Sequence, residues 1–364
     1  MNLRLILILG LVSLLADWLY ESVRAVVPQY LYYLGASAVF VGFVFGLGDA
    51  LGYAARFITG PLADKRGGYW LETFLGYALQ VAAVAGLVFA RDMWQVAGLI
   101  FLERFSKALR TPARDAIISA AGGAEARGRA FGIHASLDQI GAIIGVAMAT
   151  AMLYYKFTPR DVFLISLAPG VAALFTLYVA YRVGKLKPEK RKSTILMDLT
   201  VFKFGVTQFL LGLSLIHISL FMYKLAEVAW MASLLYLVAM VSEVPVSLLL
   251  GHFYDKNAKA LLVAPLFSIL LAAIFVAGNI PALFLGAVLY SVVTSYADVV
   301  AKAHAARLGG ATSLGVINAM WGFGLLVGGI LYGYFFDIGA SIPIFILATA
   351  SAFISLVLLW RENT

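Results

Sequence analysis

The chain has 364 residues, 62% of them hydrophobic and only 13% charged, with a mean hydropathy of +0.93. A soluble domain carries about a quarter of its residues as charges, so this composition excludes one and predicts a polytopic membrane protein whose apolar windows of roughly 20 residues cross the bilayer as helices. The net charge of +8 then asks which loops carry the bases rather than pointing to nucleic acid, and the absence of cysteine excludes disulfides and thiolate metal sites.

The first predicted helix covers residues 3–33. Its start has the apolar core of a signal peptide, but no small-residue cleavage site follows. Asp17, Trp18, Tyr20, Glu21 and Arg24 arrive before the apolar run resumes, so one long retained helix is expected. After a tight turn the second helix takes 39–62, and the charged stretch from Gly60 to Trp70 reads as the turn into the third, 71–90. The fourth covers 94–119, a charged loop 122–129, the fifth 130–155 and the sixth 161–183. Residues 185–198 have soluble composition and form a linker at mid-chain. Helices at 199–223, 228–253, 260–277, 282–306, 314–336 and 341–360 complete an all-α membrane fold of twelve transmembrane helices.

The halves echo one another. Gly60, Asp64 and Lys65 are followed half a chain later by Gly251, Asp255 and Lys256, and Gly122, Gly128 and Gly141 recur at Gly309, Gly315 and Gly328 with one constant offset. Two pseudo-symmetric six-helix bundles, 1–184 and 199–364, follow from this duplication. With twelve helices both termini lie on one side, and the loops on the side of Gly60 to Trp70 hold most of the bases. By the positive-inside rule that side is cytoplasmic, which predicts a multi-pass protein of the cytoplasmic membrane with both termini inside.

An ionisable side chain at mid-bilayer costs about 2.5–3.5 kcal/mol even on the lenient insertion scale, so each needs a partner or a wet cavity. Asp17, Glu21 and Arg24 are spaced to share one face of the first helix, with Tyr20 beside them, and that face must look into the protein. Glu103, Lys107, Arg110 and Arg114 form a stripe on the fourth helix, with Arg104 at its middle. Asp49 and Arg56 repeat the pattern on the second helix, two turns apart, and Asp138 pairs by spacing with His134 on the fifth. In the second half His217, Glu243 and Asp298 are isolated. Gly42 and Gly46, Gly141 and Gly145, and Gly324, Gly328, Gly329 and Gly333 mark faces where helix backbones approach closely.

Gly60, Leu62, Ala63, Asp64, Lys65 and Gly67 match, position by position, the signature that the major facilitator superfamily carries between its second and third helices, although Gly68 and Tyr69 stand where that signature has bases and Arg66 offers one from a shifted register. Arg104 to Ala108 resembles a second motif of that family, with Lys107 and Ala108 in place of glutamine and glycine. Gly141 and Gly145 fit its antiporter motif, with Val146 replacing the proline. The chain therefore resembles that superfamily over its whole length, and a prokaryotic drug-exporter-like subgroup within it.

The resemblance implies that the first, fourth, seventh and tenth helices line a central cavity. Asp17, Glu21, Arg24, Arg104 and Lys107 would then form a proton-coupling cluster, because burial favours a carboxyl's neutral form and a nearby cation its charged form. It implies a cytoplasmic gate made of Gly60, Asp64, Lys65, Arg66, Gly67, Asp115, Asp255 and Lys256, with Asp49, Arg56 and Asp138 as gating candidates. Tyr20, Gln208, His217, Thr294, Tyr296, Asp298 and Trp321 are substrate-contact candidates, and the second and eleventh helices, with the fifth and eighth, form a seam on which the halves rock.

No catalytic or nucleotide-binding motif is present and the four histidines are scattered, so neither an enzyme nor an ATP-driven pump is expected. The expectation is a proton-coupled antiporter exporting a drug or metabolite. An importer or facilitator of an organic anion or zwitterion is the alternative, and a channel or lipid scramblase the alternative of a different class. No metal or cofactor is called for; the expected partners are a small solute, protons and membrane lipid, and the chain is expected to act as a monomer.

Overall fold

The computed structural model describes residues 1–184 and 199–363, with the side chains of Phe57, Asp64, Arg66, Ala124, Glu125, Ala258 and of residues 309–312 and 361–363 outside the description. The expected linker, 185–198, thus lies outside the described residues. In hydrocarbon a chain must satisfy its backbone within each segment, and helices do so. The described residues form α1 (Leu3–Arg24), α2 (Val27–Tyr33), α3 (Ala38–Ala54), α4 (Arg56–Arg66), α5 (Tyr69–Phe89), α6 (Met93–Tyr154) and α7 (Pro159–Val183). They continue with α8 (Leu199–Ser214), α9 (Ile218–Lys224), α10 (Ala229–Lys256), α11 (Val263–Ala277), α12 (Ile280–Ser295), α13 (Lys302–Asp337) and α14 (Ser341–Asn363).

Eleven helical segments among these residues are long and apolar enough to span a membrane. The stretch of α6 before Gly123 is equally continuous but carries Glu103, Arg104, Lys107, Arg110 and Arg114, and α6 breaks at Gly123, whose φ is 69°, before continuing as the next span. Large apolar side chains such as Phe175, Leu248 and Ile342 are more than 70% exposed, which suits a surface solvated by lipid and would be a liability in water.

Several expected helices are interrupted. The first breaks at Ala25 and Val26 because Pro28 has no N–H for the Arg24 carbonyl. The second breaks at Ala55, and the seventh leaves Leu215 to His217 outside any helix. A π-helical turn, Tyr296–Ala301, follows α12. α13 runs through the turn expected near 307–313, where Ala303, Ala305, Ala306 and Leu308 favour helix. The charged turn expected from Gly60 to Trp70 is itself corrected: it is helical through Arg66, and Gly67, at a φ of 68°, ends α4 by donating its N–H to the Ala63 carbonyl at 2.8 Å.

The helices gather into two compact units, residues 1–30 with 55–184, and residues 31–54 with 199–363. In the first, α1 packs on α6 and α7 while α5 packs on α6. Leu5, Ile6, Leu9 and Val12 of α1 meet Ile117 and Ile118 of α6 and Leu177 of α7 in a fully buried core. Gly141 and Gly145, expected on a seam between halves, instead seat against α1. A Cβ at Gly141 would stand 2.0 Å from the Leu14 carbonyl oxygen, and one at Gly145 2.4 Å from that of Trp18.

In the second unit α13 lies against α3 and α8. A Cβ at Gly42 would stand 2.0 Å from the Gly329 oxygen, and one at Gly324 2.2 Å from the Phe209 oxygen. Residues 31–54 group with this unit because their glycines allow that backbone contact, and Asp337 of α13 caps α3 by accepting from the N–H groups of Ala38 and Val39 at 2.8 and 2.9 Å.

Because the atoms facing Gly141 are backbone, Gly141→Ala must push α1 and α6 apart, and it is expected to destabilise the protein by about 1–3 kcal/mol. Gly98→Ala, which meets nothing within 4 Å, should leave stability unchanged or slightly higher. Thermal unfolding of the two purified variants in detergent checks the contrast.

Candidate functional site

The close approach of α1 and α6 has a chemical consequence. Along the α6 face that meets α1, Gly141 and Gly145 lie three and seven residues beyond Asp138. The same contact carries the Asp138 carboxyl to Asp17 of α1, and the two side chains are within hydrogen-bonding reach of one another. The expected pairing of Asp138 with His134 is therefore corrected: one turn earlier, His134 Nε2 bonds Ser13 Oγ at 2.6 Å. Both contacts arise because α1 and this part of α6 run in the same direction, so that i, i+4 pairs on one helix meet i, i+4 pairs on the other.

Cations surround the two carboxyls. Lys107, Arg110 and Arg114 are the charges acting on Asp17, and Arg114 and Lys107 act also on Asp138. Arg114 ion-pairs with Asp115 at 3.0 Å and donates from Nη1 to Ser13 Oγ at 3.3 Å. Ser13 also lies 3.3 Å from the Tyr77 hydroxyl, and the Arg110 guanidinium stacks 4.5 Å over the Tyr77 ring. Arg110 and Asp17 are buried, while the network reaches the surface through Asp115, whose side chain is 38% exposed.

One turn further along α1, Lys107 Nζ lies 4.0 Å and the Arg104 guanidinium 4.9 Å from the centre of the Tyr20 ring. A ring face attracts cations through its quadrupole, and here it holds two of them. Arg24 approaches the Tyr20 hydroxyl at 3.4 Å. Glu21 is buried, and Arg104 approaches Glu103 at 3.8 Å. The first unit thus gathers Asp17, Tyr20, Glu21, Arg24, Arg104, Lys107 and Asp138 around one polar interior. Ser13, Tyr77 and Arg110 belong to it too. Ser13 had a signal, lying four residues before Asp17 on the same stripe; Tyr77 had none apart from being a polar aromatic in an apolar run.

In the second unit His217 is not isolated, as its surroundings in the sequence had indicated. It occupies the last position of the break before α9, and its Nε2 lies 3.2 Å from Asp49 Oδ2 of α3. Asp49, which spacing set two turns from Arg56 and left without a partner on its own helix, thus meets a residue far along the chain. Asp298, also expected to be isolated, bonds Lys302 one turn on and is exposed, which removes it from the interior. Gln208 Nε2 lies 3.3 Å from the Tyr296 hydroxyl in the π-helical turn, an irregularity that recurs at functional sites. Thr294 returns its hydroxyl to the Tyr290 carbonyl, at 3.2 Å, and Trp321 is buried.

Of the expected gate, Gly60 faces Pro112, where an added Cβ would meet the proline side chain at 3.8 Å, and Gly67 caps α4. Asp115 is held by Arg114, while Lys65, Asp255 and Lys256 are exposed. The side chains of Asp64 and Arg66 lie outside the described residues. Among the described residues no group of three or more histidine, aspartate or glutamate side chains is arranged to hold a metal ion.

Residues 6–222 match the Major Facilitator Superfamily. An uncharacterized protein of Mycobacterium tuberculosis is 29% identical over 92% of this chain and 87% of its own length. The multidrug resistance protein MdtH of Enterobacter sp. is 29% identical over 44% of this chain and 38% of its own. Among solved structures, the nucleoside transporter NupG superposes with a TM-score of 0.74 over 99% of this chain and 98% of its own, at 16% identity, a likeness of fold.

The Tyr20 ring sets a measurable expectation. Tyr20→Leu leaves Lys107 and Arg104 without the ring face and should destabilise the protein by about 0.5–2 kcal/mol. Tyr20→Phe keeps the face and should retain most of that stability. Thermal unfolding in detergent compares them.

Proposed function

The chain belongs to the Major Facilitator Superfamily and is a multi-pass membrane transporter rather than an enzyme, and from that premise we propose that it couples solute movement to protons through the Asp17–Asp138 pair. The observation that carries this reading is the carboxyl contact itself. Two carboxyls within hydrogen-bonding reach resist joint ionisation by like-charge repulsion, so they hold one proton between them. Lys107 and Arg114 lie near both carboxyls, and Arg110 near Asp17. A conformational change that alters the distance from these cations to the carboxyls alters how tightly the proton is held, which is what coupling requires.

The proton is loaded on one side of the membrane and released on the other, and its electrochemical gradient supplies the work: a one-for-one exchange with a monovalent cation draws on the pH difference, and any net charge moved draws on the membrane potential. One charge moved through 100 mV provides about 2.3 kcal/mol, equivalent to roughly fifty-fold accumulation of the coupled solute. No cofactor takes part. Positive-inside bias supports a location in the cytoplasmic membrane with both termini in the cytoplasm, and a single chain contains both units.

For direction and substrate, export of an organic cation by exchange for protons fits best, since such a cation competes with the proton for the same carboxyls. The partial likeness to MdtH supports the choice. One observation favours a second reading: Lys107 and Arg104 both lie over the Tyr20 ring, and such a pair also suits the carboxylate of an organic anion or zwitterion moving with the proton. The gate residues Asp64, Asp115 and Asp255, with Asp49 and Arg56, are proposed to control access without touching the solute.

Inverted membrane vesicles with an acidic lumen test these alternatives. In the wild type, adding ethidium or tetraphenylphosphonium should dissipate the pH gradient reported by an acridine dye, and Asp17→Asn and Asp138→Asn should each reduce that response to the level of vesicles lacking the protein. Further acidification of the lumen on adding organic anions, which would enter it together with protons, would favour the second reading. Collapse of the gradient with no solute added would point to a channel.

A further inference from the structure

We propose that His217 and Asp49 form a second proton-binding site, lying in the second unit and setting the break between α8 and α9. The site is independent of the Asp17–Asp138 reading. His217 sits inside an apolar run, is 1% exposed, and takes a position where the helix is interrupted. A broken helix within a membrane span frees backbone groups that must find other partners. Here the imidazole provides one.

Its two nitrogens have different partners. Nδ1 accepts the Ser219 backbone N–H at 3.1 Å and lies 2.8 Å from the Ser219 hydroxyl. A nitrogen that accepts an N–H carries no proton of its own, so the imidazole is neutral with its hydrogen on Nε2. That hydrogen points to Asp49 Oδ2, 3.2 Å away. From α3 the ring also faces Phe45, with centroids 5.4 Å apart, and from α12 it meets the edge of Tyr290 at 6.2 Å. Titratable groups that face it thus include Asp49 and Tyr290, with the Ser219 hydroxyl on its own turn.

An arriving proton has two places to bind. On the Asp49 carboxylate it removes the charge that accepts from Nε2. On Nδ1 it creates a second N–H directed at the Ser219 N–H, and the two donors cannot share the contact, so the cap on α9 is lost. Either event bears on the first turn of α9, a helix whose far end is tied to the turn before α3 by the Tyr223 hydroxyl, which donates to the Ala36 carbonyl at 2.8 Å. Histidine is the side chain whose ordinary titration falls in the physiological range, and an ionisable group inside a span marks a functional position.

The test uses the full chain, with ring-labelled histidine, in lipid nanodiscs. The chain has four histidines, and the His217 signal is the one absent from His217→Asn. As the pH is lowered from about 8 to about 5, the His217 ring should pass from the Nε2–H form to the imidazolium, or keep that form while its shift follows protonation of Asp49. Amide exchange over residues 215–224, corrected for its intrinsic pH dependence, should rise over the same range. His217→Asn retains a capping oxygen and cannot titrate, so its exchange over 215–224 should stay flat. Should that variant fail to fold, Asp49→Asn identifies the ring by altering its titration while the other three histidines keep theirs. A His217 signal unchanged through the whole range, or exchange that rises equally in His217→Asn, overturns the proposal. Asp138→Asn should leave the His217 titration in place, so failure of the first proton site and failure of this one read differently.

Discussion

The structure depends on how near α1 comes to the part of α6 beyond Gly123. Glycine at positions 141 and 145 removes the side chains that would hold the two backbones apart, and a Cβ at either would fall within 2.4 Å of a carbonyl oxygen on α1. With the backbones this close, polar side chains on the shared face cannot avoid one another. Asp17 meets Asp138, Ser13 meets His134, and the carboxyls enter an interior already occupied by Lys107, Arg110 and Arg114. Packing and chemistry are thus one constraint: the residues that permit the approach create a site where charge must be shared.

The two units handle polarity differently. The first concentrates formal charges and offsets them with each other and with the faces of Tyr20 and Tyr77. A buried charge costs several kcal/mol unless paired, so this interior is sensitive to a single proton. The second relies on neutral hydrogen bonds and on irregular backbone, with His217 at a helix break and Tyr296 in a π-helical turn. On the two readings proposed, a proton acts there through backbone capping and in the first unit through a field of charges, which gives protonation two distinct ways to change shape.

Much of this was legible in the sequence. Apolar run length predicted the helices, and i, i+4 spacing placed Asp17 and Glu21 on one interior face and Lys107 with Arg110 and Arg114 on another. Spacing within one helix cannot say which other helix a face meets, so Asp138 was matched to His134 on its own helix rather than to Asp17. The same limit hid the partner of Asp49, which is 168 residues away in the chain (217 − 49 = 168). The break before Pro28 had a signal in the proline, which a reading by apolar run length passed over, whereas the break at His217, where a side chain caps the backbone, had none. The charged stretch after Gly60 read as a turn because its composition is polar, yet Leu62, Ala63 and Lys65 favour helix until Gly67 ends it.

The most direct measurement is infrared difference spectroscopy of the purified protein through a pH titration, which reports the carbonyl stretch of protonated carboxylic acids. If Asp17 and Asp138 hold one proton between them, one of the protonated-carboxyl bands that appear on acidification is abolished or displaced by Asp17→Asn and by Asp138→Asn alike. A set of bands left unchanged in both variants would contradict the account, because the proton would then reside elsewhere.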